Sequence, residues 1–140
     1  MTQVFFYHGA ADKLSAACAL LSGAYAKKKA MLVYALEKET AAHLDRMLWT
    51  HAALSFVPHC RADSPLAAET PILITDTLNN IAQNERLMNL SREIPPGFSR
   101  FDNLIEVVGQ GEEDRAAARD RVKVYKERGC DVRYFDLSDR

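Results

Sequence analysis

The chain has 140 residues, of which 48% are hydrophobic and 26% are charged, a length and balance typical of one globular domain and not of a disordered chain. The net charge of -1 excludes a strong overall attraction to nucleic acid or anionic membrane. No apolar run approaches the ~18–20 residues of a membrane span, and the N-terminal residues do not resemble a secretory signal. We therefore expect a cytoplasmic protein, with a single domain over residues 1–140 and no membrane partner.

The first part of the chain alternates between strand and helix patterns. Residues 4–7 are short, apolar and aromatic, as in a buried strand, and a turn is expected at residues 8–12. Asp12 is the predicted N-cap of a helix over residues 13–29, with a second strand at 30–35 and a second helix at 38–49. This order is typical of a parallel α/β sheet.

The remaining elements continue the same pattern. An extended segment is predicted at residues 55–59, strands at 71–76, 86–90, 104–108 and 131–137, a helical turn at 98–101, and a helix at 112–128 that ends before Gly129. The fold class is therefore α/β, with a mixed, mainly parallel sheet flanked by helices on both faces. It is Rossmann-like without a nucleotide-binding motif.

The motifs of common α/β enzymes do not occur. The predicted turn at residues 8–12 has one glycine, whereas a dinucleotide-binding turn needs G-x-G-x-x-G so that the backbone can approach the pyrophosphate. Neither a G-x-x-x-x-G-K-[ST] loop nor a G-x-S-x-G nucleophile elbow is found. We therefore predict no catalytic residues and no cofactor.

The cysteines and histidines do not follow a disulfide or zinc pattern. Cys18, Cys60 and Cys130 are odd in number and far apart, so free thiols are expected. None of the four histidines has a partner at a metal-binding spacing. We predict that the protein has no metal site.

The predicted C-terminal helix carries a basic face. Arg115, Arg119, Lys123 and Lys126 fall within an arc of about 80° at 100° per residue. In one interpretation this face is only solvated, and the acidic residues of the same helix balance its charge. In the other, the basic face binds a partner, because arginines bind carboxylate or phosphate groups. Val122 lies about 20° beyond the Arg115 edge of the basic arc, and an apolar residue next to cations suits a peptide that ends in a hydrophobic residue with a free carboxylate.

A second candidate contact surface follows the second predicted helix. Trp49 stands at the end of that helix, with Phe56 and Pro58 just beyond it. Aromatic residues at such an exit are common interface anchors, although packing in a small satellite core is the alternative.

These segments resemble the chi subunit of bacterial DNA polymerase III. Leu44-Asp45-x-x-Leu48-Trp49, followed by Ser55-Phe56-Val57-Pro58-His59, is similar to the signature of that family. Residues 118–125 and Gly129 look like its C-terminal helix. The length, the opening strand and the order of elements also fit, so the resemblance extends over essentially the whole chain.

The resemblance implies a non-catalytic accessory subunit of the clamp-loader assembly that binds no nucleotide. It implies a bridge between the psi subunit and the acidic C-terminal tail of single-stranded-DNA-binding protein, a tail that ends in phenylalanine, with DNA contacted only indirectly. Trp49, Phe56, Val57 and Pro58 would form the surface for psi and for a helicase partner.

For the tail, the resemblance implies contacts on the C-terminal helix. Arg119 and Lys123 match basic positions of the family, and Arg115 stands where a lysine is usual. Val122 replaces an aromatic residue, and the loop before the helix, residues 109–112, is shorter than in the family. We expect the phenylalanine to lie on an apolar spot near Val122 and Tyr125.

Two other functions remain open from the residues alone. One is a degenerate nucleotide-binding enzyme that acts on phosphate esters through Asp76 and His8, for which added nucleotide would raise the melting temperature. The other is direct DNA binding by the basic helix, for which affinity would fall steeply with salt.

Overall fold

A computed structural model describes residues 2–50, 58–67, 70–78 and 84–138. These residues form the strands β1 (Gln3–Ala10), β2 (Met31–Tyr34), β3 (His59–Arg61), β4 (Ile72–Thr75), β5 (Arg86–Asn89), β6 (Asn103–Gly109) and β7 (Asp131–Asp136), and the helices α1 (Lys13–Ala26), α2 (Lys38–Thr50) and α3 (Glu112–Glu127). The strands make one sheet in the order β3-β4-β2-β5-β6-β1-β7, and each described pairing is parallel. The predicted α/β class is confirmed, but the sheet predicted as mixed is parallel throughout the described pairings.

Alternating side chains divide the core between the two faces of the sheet. On β6, Ile105 and Val107 belong to the cluster beneath α1 and α2, whereas Leu104 and Val108 lie on the opposite face with α3. A short helical turn, Phe98–Arg100, adds the buried Phe98 to the α3 face. Burial of both faces is characteristic of parallel sheets and explains the nearly continuous apolar runs of these strands.

The first strand is longer than predicted. β1 continues through His8 and Gly9 to Ala10, so the turn expected at residues 8–12 begins later. The pairing with β6 is irregular between Tyr7 and Ala10, and Gly9 has a φ of +75°. A Cβ atom at Gly9 would lie 2.9 Å from an Asp136 carboxylate oxygen and 3.3 Å from the Ser138 backbone nitrogen, so the positive φ and this close approach together favour glycine. The apolar pattern ends at Tyr7, which is why the extension was not predicted.

Helix α1 begins at the predicted N-cap. The Asp12 carboxylate accepts hydrogen bonds from the backbone N–H groups of Leu14 and Ser15, at 3.1 and 3.2 Å. These bonds satisfy two donors that have no partner within the helix. They also lower the pKa of Asp12, with the Ser15 bond as the largest cause.

Helix α1 ends three residues earlier than predicted, in a turn of lysines. The N–H of Lys28 donates to the Tyr25 carbonyl and that of Lys29 donates to the Ala24 carbonyl, which is a Schellman motif. Lys28 has a φ of 60°, a conformation that glycine adopts without strain.

We expect Lys28→Gly to raise the free energy of unfolding by about 0.5–1 kcal/mol, because it removes the left-handed strain of a residue with a Cβ atom. Urea denaturation would measure the change. Lys27→Gly is the matched control at a negative φ and should give no gain. A loss of stability in Lys28→Gly would contradict the strained conformation.

The cysteines are free thiols, as predicted. Cys18 is buried, and this burial raises the pKa of its thiol to about 11, so it is a poor nucleophile. Within the described ranges, no helix is both long and apolar enough to cross a membrane, and no cluster of acidic, histidine or cysteine side chains could hold a metal ion.

Candidate functional site on helix α3

Helix α3 is fixed to the sheet by a buried ion pair. The Glu106 side chain, on β6, is 0% exposed, and the Nε and Nη2 atoms of Arg121 donate to its two carboxylate oxygens at 3.1 Å each. The Tyr125 hydroxyl and the Asn89 amide also donate to this carboxylate, at 2.5 and 3.0 Å. Because Glu106 is surrounded by four donated hydrogen bonds, the network sets the rotation of α3 about its axis.

Tyr125 is therefore a core residue, and its predicted place on an apolar surface spot is wrong. Its ring packs edge-on against Phe98, with 5.1 Å between the centroids, and no part of it is exposed. Burial raises the pKa of the Tyr125 hydroxyl, and the Glu106 charge raises it further, so the hydroxyl remains a donor. Tyr125 and Arg121 are one helical turn apart on the buried stripe, whereas Val122 is turned by 100° from Arg121.

A groove of about 240 Å³ lies between one flank of α3 and the strands β1, β6 and β7. Its lining residues are Phe6, His8, Val108, Arg115, Ala118, Arg119 and Tyr134. The buried Phe6, Val108 and Ala118 form an apolar cluster, and Val122 packs against it. The Tyr134 ring is half-exposed and stands edge-on to Phe6, at 5.7 Å between centroids.

Two arginines stand at the rim of this groove. The side chains of Arg115 and Arg119 are 57% and 60% exposed, so both guanidinium groups are accessible. The structure thus places the predicted Arg115, Arg119 and Val122 beside one apolar pocket. Lys123 is exposed on the same helix but does not line the groove.

Other residues of the groove were not assigned from the sequence. Phe6, Val108 and Tyr134 come from three strands that are far apart in the chain and meet only through the sheet order. Lys126 lies farther along the same flank, with its Nζ atom 5.2 Å from the centroid of the Tyr134 ring. In the sequence, the position of Lys126 in the basic arc of the helix already placed it on this flank.

A carboxylate of the chain itself already contacts the two arginines. One Glu112 oxygen lies 3.0 Å from Arg119 Nη2, and the other lies 3.9 Å from Arg115 Nη1. The hydrogen bond from Arg119 is the main cause of a lowered Glu112 pKa, and the charges of both arginines add to it. The rim of the groove is therefore an environment that favours the charged form of a carboxylate.

The second predicted surface is partly described. Trp49 is 58% exposed at the end of α2, and its ring stands edge-on to that of the buried His59, at 5.1 Å between centroids. His59 Nε2 lies 3.0 Å from an Asp45 carboxylate oxygen, which fixes the imidazole beneath the tryptophan. Pro58 is half-buried beside it, and Phe56 and Val57 lie outside the described residues.

A profile of the DNA polymerase III chi subunit family, HolC, matches residues 1–133. The chain belongs to the chi family. It is 29% identical over 133 residues to the DNA polymerase III subunit chi of Pseudomonas aeruginosa, covering 92% of each chain. It is 28% identical over 117 residues to the subunit chi of Haemophilus influenzae, covering 83% of this chain and 81% of that one. The resemblance found in the sequence is confirmed.

In this chi-family fold, a cavity of about 660 Å³ lies at the carboxyl ends of the strands, where α/β proteins commonly bind nucleotides. Lys13 and Arg92 line it, but both contact the carboxylate of Asp114, at 3.1 and 3.5 Å. Glu37 and Glu93 add further negative charge to the lining. This charge arrangement disfavours a phosphate, so it gives no support to an enzyme acting on phosphate esters.

Asp114 should make the stability of the protein pH-dependent. Burial raises the pKa of this carboxyl, but the hydrogen bond from the Gly109 N–H at 2.8 Å and the charge of Lys13 outweigh it, so the pKa is lowered. A lowered pKa gives stability that is present above the unfolded value of about 3.9 and is lost as the pH falls through the folded value. At pH 7 we expect the wild-type protein to have a higher free energy of unfolding than Asp114→Asn. Urea denaturation from pH 7 to pH 2 should show this difference becoming smaller as the pH falls. A pH-independent difference would contradict this assignment.

Proposed function

We propose that this chi-family protein is a non-catalytic bridging subunit of the bacterial DNA polymerase III holoenzyme. In this proposal the α3 groove binds the acidic C-terminal tail of single-stranded-DNA-binding protein, and the surface around Trp49 binds the psi subunit of the clamp-loader complex. The observation that carries the proposal is an apolar pocket with two accessible arginines at its rim. The protein would act in the cytoplasm and reach DNA only through its partners.

The groove supports a specific way of holding the tail. Carboxylates of the tail pair with Arg115 and Arg119, because guanidinium groups bind carboxylates in a bidentate manner. The terminal phenylalanine enters the pocket above Phe6 and Ala118, where apolar surface is available. Lys123, exposed on the same helix, extends the positive field for acidic residues farther up the tail.

Glu112 competes with the tail for the same arginines. A partner carboxylate must displace it from Arg119, so we expect Glu112→Gln to strengthen tail binding by about two- to fivefold, a small change because an exposed ion pair contributes little. Fluorescence anisotropy with a labelled tail peptide would measure the change. Glu113→Gln is the matched control, because Glu113 contacts Arg92 outside the groove. Weaker binding in Glu112→Gln would contradict the displacement.

The surface around Trp49 suits a permanent protein partner. An indole that is exposed by more than half but rests on the buried His59 is a preorganised apolar anchor, and such residues dominate interface energies. The psi subunit is the partner that this proposal assigns to it. A helicase that used the same anchor would compete with psi.

The bridging function requires both partners on one molecule. We expect analytical ultracentrifugation to show a ternary complex of this protein, the psi subunit and a labelled tail peptide. Trp49→Ala should lose psi and retain the peptide, and Arg119→Glu should lose the peptide and retain psi. A single variant that loses both partners without unfolding, or mutually exclusive binding of the two, would contradict the bridge.

A further inference from the structure

A second groove lies on the opposite face of the sheet, near the amino ends of the strands. It has a volume of about 360 Å³ and separates the last turns of α1 from β1, β2 and β6. Its floor consists of the apolar side chains of Phe5, Tyr7, Met31 and Ile105, and α1 contributes Leu20 and small residues. None of these residues belongs to the α3 groove.

This apolar surface continues to the edge of the sheet. The rings of Phe5 and Tyr7 are only partly buried, and both stack on Phe135 of the edge strand β7, at 6.3 and 4.8 Å between centroids. Helix α1 packs on β6 and leaves this aromatic strip beside it. The strip lengthens the groove into a surface that an extended or helical segment could follow.

One wall of the groove is opened by a glycine that the fold does not require. Gly23 lies inside α1, and a Cβ atom built there would meet nothing within 4 Å. Glycine within a helix is less favourable than alanine, and here neither packing nor a positive φ explains it. A position of this kind allows the backbone or a bulky side chain of a partner to approach the helix closely.

The rim of the groove has one sign of charge. Lys27, Lys29 and Arg86 line it, and no acidic side chain among the described residues does so. Lys27 and Lys29 are exposed in the Schellman turn, whereas Arg86 also contacts Glu85 at 3.3 Å. Cations around an apolar floor are complementary to a segment that carries both hydrophobic side chains and carboxylates.

We propose that this groove is a second docking site, which binds an acidic amphipathic peptide segment of a partner protein. Hydrophobic side chains of the segment cover Phe5, Ile105 and the small residues of α1, and its carboxylates pair with the lysines of the Schellman turn. The site needs no terminal carboxylate, because its cations lie along the side of the groove. The tail groove on α3 is a separate site, so either one can exist without the other.

A labelled peptide tests this site. The probe is fluorescein-Glu-Glu-Leu-Leu-Glu-Glu-Phe-Leu-Glu-Glu-amide, which has no free C-terminal carboxylate. We expect micromolar binding by anisotropy, weakened at least about tenfold by Gly23→Leu and by Lys27→Glu, and changed by less than about twofold by Gly23→Ala. Since leucine is a better helix former than glycine and a Cβ atom at this position meets nothing within 4 Å, the melting temperature of Gly23→Leu should not fall.

Other outcomes would overturn the site. Arg119→Glu should leave binding of this probe unchanged, and a loss confined to Arg119→Glu would place the peptide in the α3 groove. No binding of the probe to the wild-type protein, or displacement of the probe by a single-stranded oligothymidylate, would likewise exclude a peptide-docking groove at α1. A failure of the tail groove alone would leave this result intact, because the changes expected to weaken the probe are at Gly23 and Lys27, which do not line the α3 groove.

Discussion

Arg119→Glu should weaken binding of the acidic tail of single-stranded-DNA-binding protein by more than about tenfold, because it replaces an attractive ion pair to a tail carboxylate with repulsion between like charges. Arg119 is the rim residue that already holds a carboxylate, that of Glu112, at 3.0 Å. The affinity of the wild-type protein should also fall as salt is added, since exposed charges are screened. Fluorescence anisotropy across a salt series would measure both effects.

The matched control for this change is Arg128→Glu. It makes the same change in net charge near the end of α3, but Arg128 lies over the Phe98 ring on the other side of the helix from the groove. We expect it to change the affinity for the tail by less than about twofold, because Arg128 lies outside the proposed contact with the tail. Equal losses in the two variants would mean that the tail senses only the overall positive field of the helix.

Arg121→Met should destabilise the protein by about 3 kcal/mol or more, because it leaves the buried Glu106 carboxylate without its countercharge. Urea denaturation would measure the change. Lys123→Met is the exposed control on the same helix and should stay within about 0.5 kcal/mol of the wild type.

A compensated variant separates charge burial from simple loss of packing. The triple variant Glu106→Leu, Arg121→Met, Tyr125→Phe removes the buried charges and the hydroxyl together, while the Asn89 amide keeps its bond to the Glu93 carbonyl at 3.0 Å. We expect it to be more stable than Arg121→Met alone, because apolar replacement of a whole buried pair is often neutral or favourable. A triple variant as unstable as the single one would show that shape, and not charge, holds α3.

The elements of the fold were largely predictable from the sequence, but their order in the sheet was not. Apolar periodicity predicted the bounds of each helix to within a few residues, and Asp12 predicted the start of α1, since these signals are local. In contrast, β1 pairs with β6 and β7, from which it is separated by most of the chain. No local pattern encodes such pairings, and they alone bring Phe6, Val108 and Tyr134 together.

The candidate site was half predictable for the same reason. Helical spacing placed Arg115 and Arg119 on one flank, but the rotation of α3 depends on Glu106, which lies within the apolar strand β6. An acidic residue in a buried strand needs a buried cation, and that requirement was the available signal that Arg121 and Tyr125 face inward. Without this requirement, the pattern of the helix predicted a surface position for Tyr125.

The most direct test of the tail-binding groove is an isotope-filtered NOE measurement on methyl-labelled protein with an unlabelled acidic tail peptide that ends in phenylalanine. The proposed function predicts cross-peaks from the phenylalanine ring to the methyl groups of Val108 and Ala118, which line the α3 groove. Cross-peaks to Leu20 and Ile105 of the α1 groove instead, or none from a peptide that binds, would contradict the placement of the tail on α3.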